Sequence, residues 1–406
     1  MKKILMLSDS PFTPTGYATI TRNILNSLSD EYECHCLAHN FYGQDVLPPI
    51  NFSDGESVKF IVHGAGASRY SLDKVPYLIK KYDIDIFGIF LDTFMMFEAK
   101  FMDCDTSPAK TFFYYPSDGG GGLPSNCDQI LRKVNLPISM SKFGQLQVEK
   151  VHGIKSVYIP HAFDPKLFYP ESFEKKKELR KKWELEGKFV IGCVARNQGR
   201  KMLDRGIKAF KLFSLDVPNA VLLLHTDPKD TAQATDIVKL IKDVELTNRV
   251  LFTGTSFYEP FTYKAMNEVY NLMDIFLLPT SGEGFGIPIV EAMACGVPQL
   301  VTDYTTTKEL VTDHIPTGEA IKLVGESDWC PYPHCYEIVD GTITGSWNVE
   351  RGMMSIYQCS KVLKRLYDDP KTLKMYSDNS VTKANMFYTW DKVIPQFREE
   401  FRRLLE

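Results

Sequence analysis

Short apolar runs alternate with segments of helical periodicity along most of the chain, and this alternation is the feature that most constrains the fold. In the first half, five runs predict buried strands: KKILMLSDS, YECHCLAHN, VKFIVHG, IDIFGIF and KTFFYYPSD. The segment YATITRNILNSLSD, between the first two runs, has apolar residues at helical spacing. Strands that alternate with helices predict a doubly wound parallel sheet.

A second series of the same kind fills the second half. Its predicted strands are KFVIGCVAR, NAVLLLHTD, RVLFTGT, DIFLLPT and PQLVTD, separated by the helical segments DRGIKAFKLF, TDIVKLIKDV, YKAMNEVYNLM and PIVEAMACG. The 406 residues suit two domains better than one core. We therefore predict two tandem Rossmann-like domains, residues 1–165 and 166–380, that face a cleft where a ligand binds. Residues 381–406 end in an amphipathic helix that should pack on an existing core.

Composition narrows the function classes. A net charge of −4 and a pI near 6.1 do not indicate nucleic-acid binding, although a local basic patch stays open. The apolar start of the chain is broken at Ser8 and Asp9, so it is too short for a signal peptide. No run is long enough for a transmembrane helix, which needs roughly 18 apolar residues. We expect a cytoplasmic protein.

Nine cysteines are scattered over the whole length, a pattern that favours free thiols over a disulfide framework. The one tight cluster of Cys and His is WCPYPHC, with Cys330, His334 and Cys335. Two interpretations of this cluster remain open: a loop with free thiols, or three ligands of a zinc site that would need a distant fourth.

The stretch PTSGEGFGIPIVEAMACG carries the strongest functional signal. It contains two carboxylates eight positions apart, Glu283 and Glu291, with Gly284 and Gly286 between them. The glycines let a ligand approach the backbone, and the N-terminus of the helix predicted from Ile287 attracts phosphate. Two carboxylates beside an anion site fit a sugar joined to a nucleoside by a diphosphate, because carboxylates bind hydroxyl groups.

Cationic residues follow the first strand of the second domain, in VARNQGRK. Arg196 and Lys201 lie five positions apart with Arg200 beside Lys201, and basic side chains of this kind suit a diphosphate. The alternative is that they are ordinary surface charges. Near the start of the chain, Gly16 in SPFTPTGYA lies in another strand-to-helix turn, where the backbone can approach a ligand.

These motifs together resemble those of a known family. EGFGIPIVE resembles the E-x7-E motif of retaining glycosyltransferases of the family 4 type, which have the GT-B fold. VARNQGRK with GIKAFKLF resembles the donor-binding turn of that family and the helix after it, and IPHAFDPKLFYP resembles its interdomain linker. FYTWDKV resembles its C-terminal helix, which crosses back to the N-terminal domain. The resemblance covers most of residues 155 to 310 and about the last twenty.

The resemblance implies a role for each motif residue. Arg196 and Lys201 would stabilise the leaving diphosphate, where negative charge accumulates as the glycosidic bond breaks. Glu283 would contact the donor sugar, together with backbone N–H groups around Phe285 and Gly286. The neighbouring Gly284 and Ile287 would complete the donor-binding loop.

Glu291 would bind the ribose of the donor nucleoside. Where many members of the family carry a histidine in the N-terminal domain, this chain has FFYYPSDGGGG, and Asp118 is the candidate there for contact with a sugar or acceptor hydroxyl. The four glycines at 119–122 indicate either a mobile lid over the acceptor or a flexible surface loop. Because basic side chains and a helix terminus do the work of a metal ion in this fold, no metal and no cofactor are expected.

The sequence thus predicts a retaining, metal-independent glycosyltransferase that uses a nucleotide sugar, with UDP and GDP donors expected from the resemblance. The acceptor hydroxyl could belong to a glycan, a lipid-linked glycan, a protein or a modified nucleic acid. The alternatives are a catalytically silent subunit that binds nucleotide sugars, and another GT-B enzyme such as a phosphorylase or an epimerase.

Overall fold

The structure, a computed structural model, describes residues 1–51, 57–230, 235–256, 261–323, 337–339, 342–344 and 349–406. These residues form two compact units, the first from Met1–Ala162, Val349 and Trp390–Glu406, the second from the other described residues between Phe163 and Thr389. None of the helices in these ranges combines the length and the apolar character needed to cross a membrane. The Cys330, His334 and Cys335 cluster lies outside the described residues.

The first unit alternates strands and helices. Its strands are β1 (Lys2–Ser8), β2 (Tyr32–Ala38), β3 (Ile50–Asn51), β4 (Ser57–Val58), β5 (Ile61–His63), β6 (Ile86–Ile89), β7 (Lys110–Tyr115), β8 (Leu136–Ser139) and β9 (Val157–Tyr158). Its helices up to Ala162 are α1 (Gly16–Leu28), α2 (Val75–Tyr82), α3 (Thr93–Glu98), α4 (Asp128–Lys133) and α5 (Lys142–His152).

Seven of these strands form one sheet in the order β5-β2-β1-β6-β7-β8-β9, and every neighbouring pair is parallel. The strands at its centre are apolar along their length because helices cover both faces of such a sheet. The run VKFIVHG was expected to form one strand. Instead its start belongs to β4, which pairs with β3 in a separate antiparallel ribbon, and its end forms β5.

The second unit repeats the pattern. Its strands are β10 (Phe189–Val194), β11 (Ala220–His225), β12 (Val250–Phe252), β13 (Ile275–Leu278), β14 (Gln299–Thr302), β15 (Gly318–Ile321), β16 (Glu337–Val339), β17 (Thr342–Thr344) and β18 (Glu350–Gly352). Its helices are α6 (Phe173–Lys182), α7 (Leu203–Asp216), α8 (Ile237–Asp243), α9 (Tyr263–Asn271), α10 (Ile287–Ala294), α11 (Thr305–Thr312), α12 (Ile356–Asp368) and α13 (Pro370–Phe387).

Its main sheet has the order β12-β11-β10-β13-β14-β15 and is parallel throughout. The predicted fold class of two doubly wound parallel-sheet domains is therefore confirmed. Helix α10 ends before a glycine, as predicted: Gly296 has a φ of 72°, and the N–H of Val297 donates to the carbonyl of Ala292 at 2.9 Å. This is the usual way in which a left-handed glycine closes a helix.

The last helix, α14 (Trp390–Leu405), belongs to the first unit. The ring of Phe397 lies 5.3 Å from that of Tyr114, and the ring of Phe401 lies 4.7 Å from that of Phe112. Both phenylalanines are fully buried. The apolar face of α14 therefore packs on the sheet of the N-terminal unit, the destination that the resemblance implied for this helix.

Candidate functional site

An ion-pair cluster joins two loops at the carboxyl edge of the second unit's sheet. Strands β10 and β13 are neighbours, so the turn after β10 and the loop after β13 lie side by side. Glu283, in the loop after β13, has Oε1 2.6 Å from Nζ of Lys201 and Oε2 3.0 Å from Nη1 of Arg200. Only 4% of Glu283 and 9% of Lys201 is exposed. One carboxylate therefore contacts two cations, of which Lys201 is buried with it and Arg200 has a side chain that is 33% exposed.

The charges in this cluster set each other's protonation. Burial alone would raise the pKa of Glu283, but the positive charges of Lys201 and Arg200 outweigh it and bring the pKa to about 2. Burial and the charge of Arg200 together lower the pKa of Lys201, and Glu283 opposes that change. At neutral pH the carboxylate is fully ionised.

The backbone around Arg200 also ties the two loops together. Its carbonyl accepts hydrogen bonds from the N–H of Ser281 at 2.7 Å, from the hydroxyl of Ser281 at 2.9 Å and from the hydroxyl of Thr280 at 3.1 Å. Its Nη1 donates to the carbonyl of Gly282 at 3.1 Å. From the sequence, Arg200 was expected only as a neighbour of Lys201, yet in the structure it connects the two loops through both its main chain and its side chain.

Helix α10 begins at Ile287, as predicted, and its first turn lies directly after this cluster. Gly286 precedes the helix with a φ of 99°, a conformation that glycine adopts readily and other residues do not. Phe285 is buried against Tyr388, with ring centroids 6.0 Å apart, while Gly284 is half-buried. The helix start therefore offers a positive dipole end, which favours an anion. Within its first turn Pro288 has no N–H, and the N–H of Ile289 donates to the carbonyl of Gly286 at 2.9 Å.

Glu291 lies one turn into α10 and has a neutral partner. Its Oε2 accepts a hydrogen bond of 2.6 Å from the hydroxyl of Tyr270 on α9. Burial raises the pKa of Glu291 to about 7, and the bond from Tyr270 only partly offsets this effect. Glu283 and Glu291 therefore differ in protonation: the first is a permanent anion, while the second gains or loses its proton near neutral pH.

Arg196, the other predicted donor-binding cation, has a separate partner. Its Nε and Nη2 donate to the two oxygens of Asp230, the second bond measuring 2.9 Å. Asp230 is buried, and Arg196 is half-exposed. The structure thus brings Lys201 to Glu283 but holds Arg196 on an aspartate 34 residues further along the chain. No local sequence pattern links Arg196 with Asp230, so this ion pair could not be predicted.

The residues predicted in the N-terminal domain lie at the carboxyl edge of the first unit's sheet. Gly16 is the first residue of α1, after the capping residue Thr15, whose hydroxyl accepts the N–H of Ala18 at 3.1 Å. That hydroxyl donates to Oδ2 of Asp9 at 2.6 Å, and Oδ1 of Asp9 lies 2.9 Å from Nε2 of His39. This turn is held by side-chain hydrogen bonds before any ligand arrives.

Asp118 follows β7 and is half-buried. Burial, followed by the negative charge of Asp92 and then that of Asp118, raises the pKa of Tyr17 well above its usual range. Since Tyr17 follows Gly16 in α1, the first unit brings Asp118 near the Gly16 turn.

The glycine segment 119–122 differs from one of its two predicted forms, the flexible surface loop. Gly119, Gly120 and Gly122 are buried, and the N–H of the next residue, Leu123, donates to Nε2 of His152 at 3.0 Å. A Cβ on Gly122 would lie 2.5 Å from the same His152 nitrogen. The glycines allow close packing on the end of α5, so the segment is not a flexible surface loop.

The second unit's site can therefore hold an anion and several hydroxyl groups. Lys201, Arg200 and the start of α10 supply positive charge, and Glu283 and Glu291 supply hydrogen-bond acceptors within the same loop and helix.

Sequence similarity to known proteins is found in the second unit, which contains this site. Residues 175–324 match the family Glycosyl transferases group 1. The chain is 28% identical over 186 residues to mannosylfructose-phosphate synthase of Agrobacterium fabrum, a match covering 44% of this chain and 38% of that protein. It is 30% identical over 162 residues to the lipopolysaccharide core biosynthesis mannosyltransferase LpsB of Rhizobium meliloti, covering 39% and 44% respectively. These matches span less than half the length of each relative.

Solved structures resemble the whole chain. Sucrose-phosphate synthase from Thermosynechococcus elongatus has a TM-score of 0.76 at 16% identity, covering 100% of this chain and 99% of that one. Anabaena HepE, solved with UDP and glucose, has a TM-score of 0.71 at 16% identity, covering 99% and 100%. The chain therefore has the GT-B fold, and its residues 175–324 are similar to the group 1 glycosyl transferases.

Proposed function

We propose that the protein is a retaining glycosyltransferase, which moves a sugar from a nucleoside-diphosphate donor to an acceptor hydroxyl. The observation that carries the proposal is the buried cluster in which Glu283 contacts both Lys201 and Arg200 beside the start of α10. Such a cluster combines an anion site with a sugar-hydroxyl acceptor. A nucleotide sugar needs both, because its diphosphate lies on one side of the glycosidic bond and the sugar hydroxyls lie on the other.

The cations would act on the leaving group. As the bond between the sugar and the diphosphate breaks, negative charge grows on the departing phosphate oxygen, and positive groups already fixed in place stabilise that charge without rearrangement. Lys201 is held rigidly by Glu283, so its ammonium group is in place before the donor binds. Arg196, half-exposed on Asp230, would contribute a second cation to the same diphosphate.

The two glutamates would bind opposite ends of the donor. Glu283, ionised at all physiological pH values, would accept hydrogen bonds from hydroxyls of the transferred sugar. Glu291 would accept hydrogen bonds from the ribose, and Tyr270 orients its carboxyl group for this role. We propose that the acceptor attacks on the face from which the diphosphate leaves, with the phosphate taking the acceptor's proton, so that configuration is retained and Glu283 forms no covalent bond.

We also propose that the reaction needs no metal and no cofactor. Two or three cationic side chains and a helix N-terminus supply the charge stabilisation that a divalent ion gives in other transferases. The donor would be a UDP- or GDP-sugar, and the UDP bound in the structurally similar Anabaena protein supports the first of these.

For the acceptor we propose a hydroxyl of a glycan, a lipid-linked glycan, a protein or a modified nucleic acid, although the charge of −4 does not favour the last. The cysteines among the described residues are free thiols, which supports the proposal that the protein works in a reducing compartment such as the cytoplasm.

The experiment is a donor panel. The purified protein is incubated with UDP- and GDP-sugars, with and without EDTA, and release of free nucleoside diphosphate is measured. We expect release from one donor class, unaffected by EDTA and lost in Glu283→Ala and Lys201→Ala. Lys239→Ala serves as the matched control, because Lys239 pairs with Asp243 on an exposed helix face of the same unit.

Three outcomes would contradict the proposal. Binding of a nucleotide sugar without turnover would identify a silent binding subunit instead. Release that depends on inorganic phosphate, or epimerisation of the sugar with the nucleotide still attached, would identify a phosphorylase or an epimerase.

A further inference from the structure

Thr305, the first residue of α11, has an unusual backbone conformation. Its φ is 52°, in the left-handed region, and it is only 5% exposed. A β-branched residue crowds its own backbone in this region, so threonine is among the least suitable residues there and glycine the most suitable. Strain of this kind persists where a particular side chain is needed.

The hydroxyl of Thr305 has a specific partner in the candidate site. Its Oγ1 accepts the main-chain N–H of Glu283 at 3.1 Å, across 22 positions of sequence. Glu283 is therefore held at both ends: Lys201 and Arg200 hold its carboxylate, and Thr305 holds its main chain. Glycine at position 305 would remove the strain but could not make this hydrogen bond.

The turn around Thr305 is fixed from several sides. The hydroxyl of Thr307 donates to the carbonyl of Thr302 at 2.7 Å, and the N–H of Tyr304 donates to the same carbonyl at 2.8 Å. Thr306 is fully buried and its hydroxyl donates to Glu309 at 3.2 Å. These bonds pin the start of α11 and keep the hydroxyl of Thr305 directed at the Glu283 loop.

We propose that Thr305 is a positioning residue for the transfer reaction. Its strained backbone is retained because its hydroxyl holds the main chain of Glu283. This hydrogen bond keeps the carboxylate of Glu283 in contact with Lys201 and in position for the bound sugar. This inference rests on the proposed function. It assigns to Thr305 no contact with the substrate.

The test compares Thr305→Gly with Thr305→Ser. Thr305→Gly relieves the strain but leaves the N–H of Glu283 without its partner and loosens the contact of Glu283 with Lys201. We therefore expect a lower Tm together with a kcat lowered by roughly tenfold or more, the scale at which small misplacements of a catalytic group act. The dissociation constant of the nucleoside diphosphate should change less than twofold, because Thr305 acts on the sugar side of the site. Thr305→Ser keeps the hydroxyl and should restore most of the lost kcat.

Glu184→Gly is the matched control. Glu184 also has a left-handed backbone, with a φ of 55°, but it is exposed and lies in the connection between α6 and β10. Its replacement by glycine should raise the Tm without changing kcat. The inference is overturned if Thr305→Gly keeps the wild-type kcat, or if Thr305→Ser loses as much activity as Thr305→Gly.

A readout without turnover separates this inference from the proposed function. If the wild-type protein releases no nucleotide from any donor, the proposed function fails, and crystal structures of the two variants then decide the inference. We expect Glu283 to leave Nζ of Lys201 in Thr305→Gly and to keep the 2.6 Å contact in Thr305→Ser. An unmoved Glu283 in both variants would refute the positioning role.

Discussion

The interaction between Lys201 and Glu283 can be measured through its effect on the free energy of unfolding. Folding lowers the pKa of Glu283 from 4.5 to about 2. Because one pKa unit corresponds to about 1.4 kcal/mol, the nearby cations favour the ionised carboxylate by roughly 3 kcal/mol. Lys201→Met and Glu283→Gln should each lower the free energy of unfolding at pH 7 by about 3 kcal/mol, since each leaves a buried charge without its main partner.

The double variant Lys201→Met/Glu283→Gln should cost much less than the sum of the two single variants, because it leaves neither buried charge alone. Chemical denaturation of the four proteins gives the coupling energy, which we expect to be about 2–3 kcal/mol. The control cycle uses the exposed pair Lys239 and Asp243, for which we expect about 0.5 kcal/mol or less. Equal coupling in the two cycles would refute the reasoning about burial.

Further predictions follow from single residues. The pKa of Glu291 is about 7, so nucleoside-diphosphate affinity should rise with pH from 6 to 8 as Glu291 ionises, and calorimetry should find this dependence flattened in Glu291→Gln. Gly286→Ala should destabilise the protein by about 1–2 kcal/mol and lower kcat, because its φ is 99° and a Cβ would lie 3.0 Å from Ile289. Phe401→Ala should destabilise the first unit by about 3–5 kcal/mol in denaturation experiments, because Phe401 is fully buried.

The pH dependence of stability provides a separate check on Glu283. Its pKa is depressed in the folded state, so the stability that it contributes is complete above pH 4.5 and is lost as the pH falls toward 2. The difference in Tm between wild type and Glu283→Gln should therefore shrink over this range. A difference that stays constant down to pH 2 would contradict the assigned pKa.

Much of the fold was predictable because hydrophobic periodicity reports burial directly. The central strands of both parallel sheets are buried on two faces, so they stand out as apolar runs, and the start of α10 at Ile287 was predicted correctly. Short edge elements were harder to predict. The run VKFIVHG is divided between β4 and β5, and nothing in its pattern shows that its two ends pair with different strands.

The site was predictable only in part, because pairings across the fold leave no local pattern. Arg196, Arg200 and Lys201 all follow β10, and their spacing does not indicate that Arg200 rather than Arg196 shares Glu283 with Lys201. The strain at Thr305 was equally invisible, because a left-handed backbone is expected at glycine and not at threonine.

We propose that Lys201, Glu283 and the start of α10 together bind an activated sugar. A crystal structure of the protein soaked with its nucleoside diphosphate tests this claim most directly. We predict a phosphate oxygen within hydrogen-bond distance of Nζ of Lys201 and a ribose hydroxyl on the carboxyl group of Glu291. Nucleotide bound elsewhere, with neither residue in contact with it, would contradict the claim.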